Sequence, residues 1–497
     1  MSFQIFLLLF LSLSPVIIIV ILILLPKNIT KNTILTISLN FSVILFLSSL
    51  VLWIFFDKLI SNFQYIYTIN IFNSFEFIIG IDGLSIFFVI LTTFIFPLCL
   101  ISQWFFLQNF SKKFVKYNIL LLLFLEFLIL NAFIVLDLLL FFILFESILL
   151  PMFLLIGTFG SGQRKIKASF FLFFYTMFGS IFLFIMILII FFKIGSLNFF
   201  LIFHLFFFNN NIILQYFLWF CLFISCLVKI PTVPLHIWLP EAHVEAPTFG
   251  SVILAALLLK LGGYALIRFL PIVPQGYIYF SPLVFCLAII SILYSSMITI
   301  RQIDLKKIIA YSSIAHMNLV LYGIFTLKFE SLQGSIFLML SHGIISAGLF
   351  FIIGFLYDRY HTKFLKYYGG LVIKMPIFAI IFLFFSMANL AFPGTTNFIG
   401  ELLIFLGAFE RNFSISFIAG FGIIFSAFYS LWFYNRLVFS SIKLIYIPSF
   451  LDFNKREFFI ILPLIILAVF FGIFPNIILD HIYISLKLVI NFINYSI

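Results

Sequence analysis

Charge is what this sequence has least of. Asp, Glu, Lys and Arg together make 9% of its 497 residues, against 65% hydrophobic residues, and the mean hydropathy is +1.32. A soluble globular domain carries roughly 25% charged residues, so a soluble fold is excluded. Cysteine is nearly as scarce. Cys99, Cys221, Cys226 and Cys286 all lie in apolar runs without a C-x-x-C spacing, which excludes a disulfide framework, a zinc site or an iron–sulfur cluster and leaves them as small core hydrophobes. The apolar–polar alternation of a transmembrane barrel is missing. So is any basic patch with interleaved aromatics, and the net charge of +11 therefore does not mark a nucleic-acid partner. The N-terminus lacks a basic leader and a small-residue cleavage site, so Phe3 to Leu25 is expected to be a first span rather than a presequence.

What is present is a succession of apolar runs of about 20 residues, each long enough to cross a bilayer as a helix. Length and charge pattern predict an all-α polytopic membrane protein of about fourteen transmembrane helices. With the N-terminus outside, 19 of the 27 Lys and Arg residues fall in inside loops and 6, including Arg268, in outside loops; Lys229 and Lys260 remain within the membrane. The basic excess is thus topological. The 79 phenylalanines suggest an AT-rich, organelle-encoded gene. Between the second and third spans, QYIYTINIF alternates like a strand and predicts a short outside hairpin, and Asp82 is placed to cap the third span. GTFGSGQRKIK follows a helix and lacks the G-K-S/T ending of a phosphate loop, so it is expected to be a turn.

The chain is organised around Lys229 to Lys260, KIPTVPLHIWLPEAHVEAPTFGSVILAALLLK. A charge at the centre of a membrane helix costs roughly 2.5–3.5 kcal/mol on insertion scales and marks a functional site by default. Pro231 and Pro234 must interrupt the hydrogen-bond ladder beside Lys229. A second interruption, Phe392-Pro393-Gly394-Thr395-Thr396-Asn397, precedes Glu401, and two broken helices in corresponding blocks are the pattern of an inverted repeat. Its freed backbone groups are expected to hold water. Glu146 lies near mid-span, whereas Glu126 and Asp137 read as interfacial or snorkelling groups. His316 and His342 are intramembrane and each lies one turn from a serine. Glu146, Lys229, Lys260, His316, His342 and Glu401, spread over six spans, compose a chain of acids, lysines and histidines of the kind that marks a proton pathway. Glu146 is expected beside Lys229 in one state and withdrawn in the other, releasing the lysine's proton towards Lys260. A purely structural spacer would not carry six buried ionisable groups.

FESILLPMFLLIG, VKIPTVPLHIWLPEAHVEAPTFGSVILAALLLKLGGY, YSSIAHMN, LSHGIISAGLFF and FPGTTNFIGEL together resemble subunit 4 of NADH:ubiquinone oxidoreductase, respiratory complex I, from about Ile81 to Trp432. The run Glu241 to Pro247, and a glutamate at 401 where the sister subunits 2 and 5 carry lysine, are the discriminating features. The resemblance implies fourteen helices with two inverted five-helix repeats, placed here at 111–270 and 271–440 between N-terminal helices 1–110 and a last helix with a C-terminal tail, 441–497. It implies a proton channel in which Glu146 and Lys229 form the entry, Lys260 the centre, His316 and His342 its continuation and Glu401 the exit. It implies no cofactor in this chain, with NADH, FMN, iron–sulfur clusters and ubiquinone in partner subunits. The implied partners are the other membrane-arm subunits, including sisters 2 and 5, and membrane lipids such as cardiolipin. The implied location is the mitochondrial inner membrane, with a bacterial plasma membrane as the alternative. A cation/proton antiporter or a membrane-bound hydrogenase subunit shares the same core.

Overall fold

The computed structural model describes residues 3–26, 29–72, 75–206, 211–443 and 450–496. Lys27, counted among the inside charges, and Asn209 and Asn210, expected in an outside loop, lie outside the described residues. Among those described, twelve helices are long and apolar enough to cross a membrane, and Ile86–Ser102 and Pro376–Asn389 are shorter apolar helices. A total of fourteen requires both of these to cross as well. The expected hairpin forms from strands Gln64–Phe72 and Phe75–Ile81, antiparallel, and Leu136 N donates to Ile78 O at 2.9 Å to tie it to the helical body.

The hub is Phe329–Tyr360, a 32-residue helix with every side chain from Ser331 to Leu356 buried. At 1.5 Å per residue it is about 48 Å long, more than a hydrocarbon core of ~30 Å. A helix apolar on all sides is stable only when other helices surround it. Here Leu305–Phe325, Thr396–Arg411, Lys455–Ile473 and Ile86–Ser102 do so. The outer helices Phe3–Leu24 and Lys165–Ile194 keep one buried stripe and turn apolar side chains outward, as lipid-facing helices do.

Polar side chains sort to the two ends. At the end carrying the basic loops, Lys307 pairs with Glu241 at 2.8 Å, Arg359 with Glu457, and Lys363 Nζ donates to Val244 O at 2.6 Å. Burial pushes the Lys363 ammonium down from its ordinary value, opposed by the charges of Glu245 and Asp304. Lys306, counted as a loop residue, is 1% exposed and donates to Ala246 O at 2.7 Å. At the opposite end Asp82 both accepts from Ser85 N, as its capping role requires, and binds Arg268 through two bonds of 2.7 and 2.8 Å. Arg268 is therefore not a loop charge. It is buried at the end of Leu259–Phe269, where its guanidinium also reaches the Tyr264 hydroxyl.

The expected C-terminal tail is a 21-residue helix, Asn476–Ser496. It buries Ile478, Ile482, Ser485, Leu486 and Val489, a helical stripe, across the acidic-capped end of the bundle. Trp53 Nε1 donates to His481 Nε2 at 3.2 Å, and a Cβ on Gly83 would stand 2.0 Å from His481 O, so only glycine permits this approach.

Candidate functional site: a buried line of ionisable side chains

The first break is built as the sequence requires, but its freed groups are claimed by side chains. Ile212–Lys229 ends at Lys229, and Trp238–Glu245 resumes beyond the two prolines. Val228 O accepts from Trp238 Nε1 at 3.0 Å, Pro231 O from Asn318 Nδ2 at 3.1 Å, and Val233 N donates to Ser291 Oγ at 3.0 Å. An unpaired buried backbone group would cost roughly 1–3 kcal/mol, and these three contacts spare three groups of the break that cost. Lys229 extends away from it. Its ammonium donates to Phe145 O at 2.9 Å and lies 3.5 Å from the centroid of the Phe145 ring. That carbonyl is available because the ladder is disturbed where Leu138–Ser147 meets Leu149–Phe159, next to Pro151.

Glu146 follows Phe145 directly. It and Lys229 feel one another's charge, but they form no ion pair within 4 Å, and Glu146 Oε1 is buried without a hydrogen-bond partner. The structure therefore places the two close to one another without direct contact. Lys229 does not bond Lys260: its Cβ lies near Gly262, two residues beyond Lys260, while its ammonium points to Phe145.

From Lys260 onward the expected residues meet in one line. Lys260 is 0% exposed and follows a π-helical turn, Leu254–Leu258; its ammonium donates to Ala255 O at 2.6 Å and lies 2.8 Å from His342 Nδ1. Such turns distort the ladder and recur at functional sites. The rings of His342 and His316 have centroids 5.6 Å apart. His316 Nδ1 is 3.1 Å from Glu401 Oε1, and both side chains are buried. Four residues on four helices thus lie in one file, bonded at its two ends and with the two imidazoles adjacent but not hydrogen-bonded between them, and the protonation states follow from donor counting. With Lys260 charged, His342 Nδ1 must accept, which puts its proton on Nε2. With Glu401 ionised, His316 Nδ1 must donate, which leaves His316 Nε2, buried and unpartnered, free to accept.

At the second break Ala391 (φ 62°) and Gly394 (φ 92°) take left-handed conformations, and Gly394 O lies 2.4 Å from where a Cβ on Gly472 would stand. The break is therefore packed against Lys455–Ile473. Asn397 Oδ1 accepts from Ser341 Oγ at 2.8 Å, which ties Thr396–Arg411 to the hub at the residue before His342.

Two assignments from sequence need correction. Glu126 neither snorkels nor reaches an interface: it is 0% exposed in the middle of Lys112–Ile134, with both carboxylate oxygens unpartnered. Asp137 does what an end residue does, accepting from Leu139 N and Leu140 N to cap its helix. Cys286 faces outward instead of joining the core, and the other three cysteines are buried. One residue was missed. His243 is fully buried, stacked on Phe350 at 4.6 Å, with both ring nitrogens unpartnered, and it feels the charges of Lys260 and Lys306. Its place within the Glu241 to Pro247 run was the available signal.

A family model described as NADH:quinone oxidoreductase/Mrp antiporter, TM, matches residues 135–426. NADH-ubiquinone oxidoreductase chain 4 of Chondrus crispus is 47% identical over 95% of this chain and 95% of its own length. The protein of the same name from Arabidopsis thaliana is 47% identical over 96% and 95%. Among solved structures, a chain of respiratory complex I from Thermus thermophilus with bound NADH superposes with a TM-score of 0.85 over 98% of this chain and 99% of that one, at 24% identity. At that identity it shows the fold alone. Matched along nearly its whole length at this identity, the chain belongs to the NADH-ubiquinone oxidoreductase chain 4 family.

Proposed function

We propose that this chain is a proton-translocating subunit in the membrane arm of NADH:ubiquinone oxidoreductase, and that its path runs through Glu146, Lys229, Lys260, His342, His316 and Glu401. The single observation that carries the reading is the file from Lys260 to Glu401, bonded at Lys260–His342 and at His316–Glu401 with the two imidazole centroids 5.6 Å apart between them. A charged, fully buried lysine in hydrogen-bond contact with a histidine is costly unless the proton moves. The transfer is balanced at every step. Lys260 gives a proton to His342 Nδ1; His342 Nε2–H passes one to His316 Nε2; His316 Nδ1–H passes one to Glu401. Each imidazole ends neutral with its tautomer reversed, and ring rotation resets it.

The Glu146–Lys229 pair supplies the entry in this reading. When the carboxylate closes on the lysine the ammonium is favoured; when it stands off, as in the arrangement described, the proton is released towards Lys260. The two blocks, 111–270 and 271–440, act as inverted repeats, each with one broken helix. Partner subunits hold NADH, FMN, the iron–sulfur clusters and ubiquinone, and sister subunits 2 and 5 and lipids such as cardiolipin flank this one. The basic-loop end then faces the matrix of the mitochondrial inner membrane. The antiporter reading is disfavoured because the relatives matched along the full chain are chain 4 proteins. The test is reconstitution of the complex in liposomes with Lys260→Met in this chain. Assembly with protons translocated per NADH sharply reduced is expected; an assembled complex that pumps normally would refute the assignment.

A further inference from the structure

The file above ends at Glu401, yet a group of buried polar side chains continues behind it. Tyr429, on Phe413–Val438, is 1% exposed, and it lines one cavity together with Glu401 and another together with Asn389. Two small cavities meet at its ring. One, of about 20 Å³, is lined by His316, Glu401, Ser426 and Tyr429. The other, of about 10 Å³, is lined by Ser312, Ser386, Asn389, Tyr429 and Ser430. A water needs roughly 10–15 Å³ of such space with two to four polar partners, so the first cavity is large enough for one and the second stands at the threshold.

The second cavity lies on the basic-loop side of Glu401. Ser312 is two turns into Leu305–Phe325, Ser430 two turns before the end of Phe413–Val438, and Ser386 sits on Pro376–Asn389, whose first turn is capped by Asp452 at that end. Each hydroxyl donates to its own helix, Ser312 to Ile309 O, Ser386 to Leu383 O and Ser430 to Ser426 O, so its oxygen lone pairs are turned to the cavity's contents as acceptors. One turn further towards the basic loops, Phe382 meets Phe433 edge-on at 5.2 Å and stacks with Tyr434 at 5.8 Å. The polar lining of the cavity therefore reaches as far as an aromatic plug.

We propose that Tyr429 and Asn389, with Ser312, Ser386 and Ser430, form a second proton file that joins Glu401 to the basic-loop face and is gated by the Phe382–Phe433 pair. Glu401 is then loaded from that face as well as from His316. The step conserves charge on the tyrosine: a hydronium drawn from the basic-loop face into the second cavity gives a proton to Tyr429 Oη while the hydroxyl's own proton passes to the Glu401 carboxylate. Two O–H bonds break and two form, leaving water and a neutral Glu401, and Asn389 holds the phenol in line.

This inference rests on the proton-translocating reading, and the experiment separates the two. The reconstituted complex is compared as parent, Lys260→Met and Tyr429→Phe, scoring assembly and protons per NADH. Tyr429→Phe keeps the ring, so normal assembly with severalfold lower pumping is expected. Loss of pumping in Lys260→Met with parental pumping in Tyr429→Phe overturns the file alone; parental pumping in both overturns the underlying reading. Direction is tested with Ser430→Cys in a Phe433→Ala background, which removes the plug, by adding 2-aminoethyl methanethiosulfonate to one face at a time. Modification from the basic-loop face is expected. Modification only from the opposite face, or from neither, overturns the proposal.

Discussion

Replacing Lys260 by arginine tests the relay where its electrostatics are strongest. Lys260 Nζ and His342 Nδ1 are 2.8 Å apart in a fully buried setting. If Lys260 kept its charge while His342 accepted a proton, two unit charges at that separation and an effective dielectric of 20 would repel by about 6 kcal/mol. The wild-type site avoids this because the lysine becomes neutral as the histidine is charged. Arginine, with a pKa above 12, does not deprotonate in this range, so the repulsion persists and the charged-histidine intermediate becomes about 10⁴-fold rarer. The guanidinium also overfills the site, at a cost of about 1–3 kcal/mol, so complex abundance must be scored alongside activity. The assay is NADH oxidation and interior acidification in liposomes carrying Lys260→Arg. An assembled complex with pumping nearly abolished, and with tightly coupled NADH oxidation slowed in step, is expected. Wild-type pumping from an intact complex would show that the proton does not pass through this side chain.

Four further outcomes follow from the same contacts. Glu401→Gln keeps an oxygen for His316 Nδ1 but cannot carry a proton, so assembly should be normal and protons per NADH reduced, as read by the same assay. Asn318→Leu leaves Pro231 O buried without its donor and should lower the thermal midpoint of the complex by an amount equivalent to about 1–3 kcal/mol, measured by differential scanning fluorimetry. Arg268→Met strands the Asp82 carboxylate in a buried site, and a loss of about 3–5 kcal/mol should appear as reduced abundance on native gels, largely recovered by the pairing-free double variant with Asp82→Asn. Gly394→Ala meets no neighbour within 4 Å, so any destabilisation reports the φ of 92° alone; about 1–3 kcal/mol is expected, with Pro393→Ala milder.

The spans, the hairpin and the two breaks were legible because each rests on local chemistry: apolar length, alternation, and proline's missing N–H. The six ionisable residues stood out because charge is expensive in lipid. Which of them touch was not legible. That Lys260, His342, His316 and Glu401 converge while Lys229 turns to Phe145 depends on how four helices rotate about the Phe329–Tyr360 hub, which no single stretch encodes. Arg268 was misplaced because a basic residue near a helix end looks like a loop charge until its partner, 186 positions away, is known. Glu126 was misjudged for the converse reason: nothing in its own helix reveals that neighbours seal it in. The C-terminal helix was overlooked because its apolar stripe is interleaved with Asp480, His481, Lys487 and asparagines, which lower its average hydropathy below that of the spans.

The central claim is that Lys260 and Glu401 act in series on one proton path. A double-variant cycle tests it most directly: protons translocated per NADH by reconstituted complexes carrying Lys260→Met, Glu401→Gln, or both. A series path predicts that the double variant pumps no worse than the more impaired single variant, since a path already cut cannot be cut again. If the two losses instead multiply in a fully assembled complex, the residues serve separate routes and the file is not the pathway.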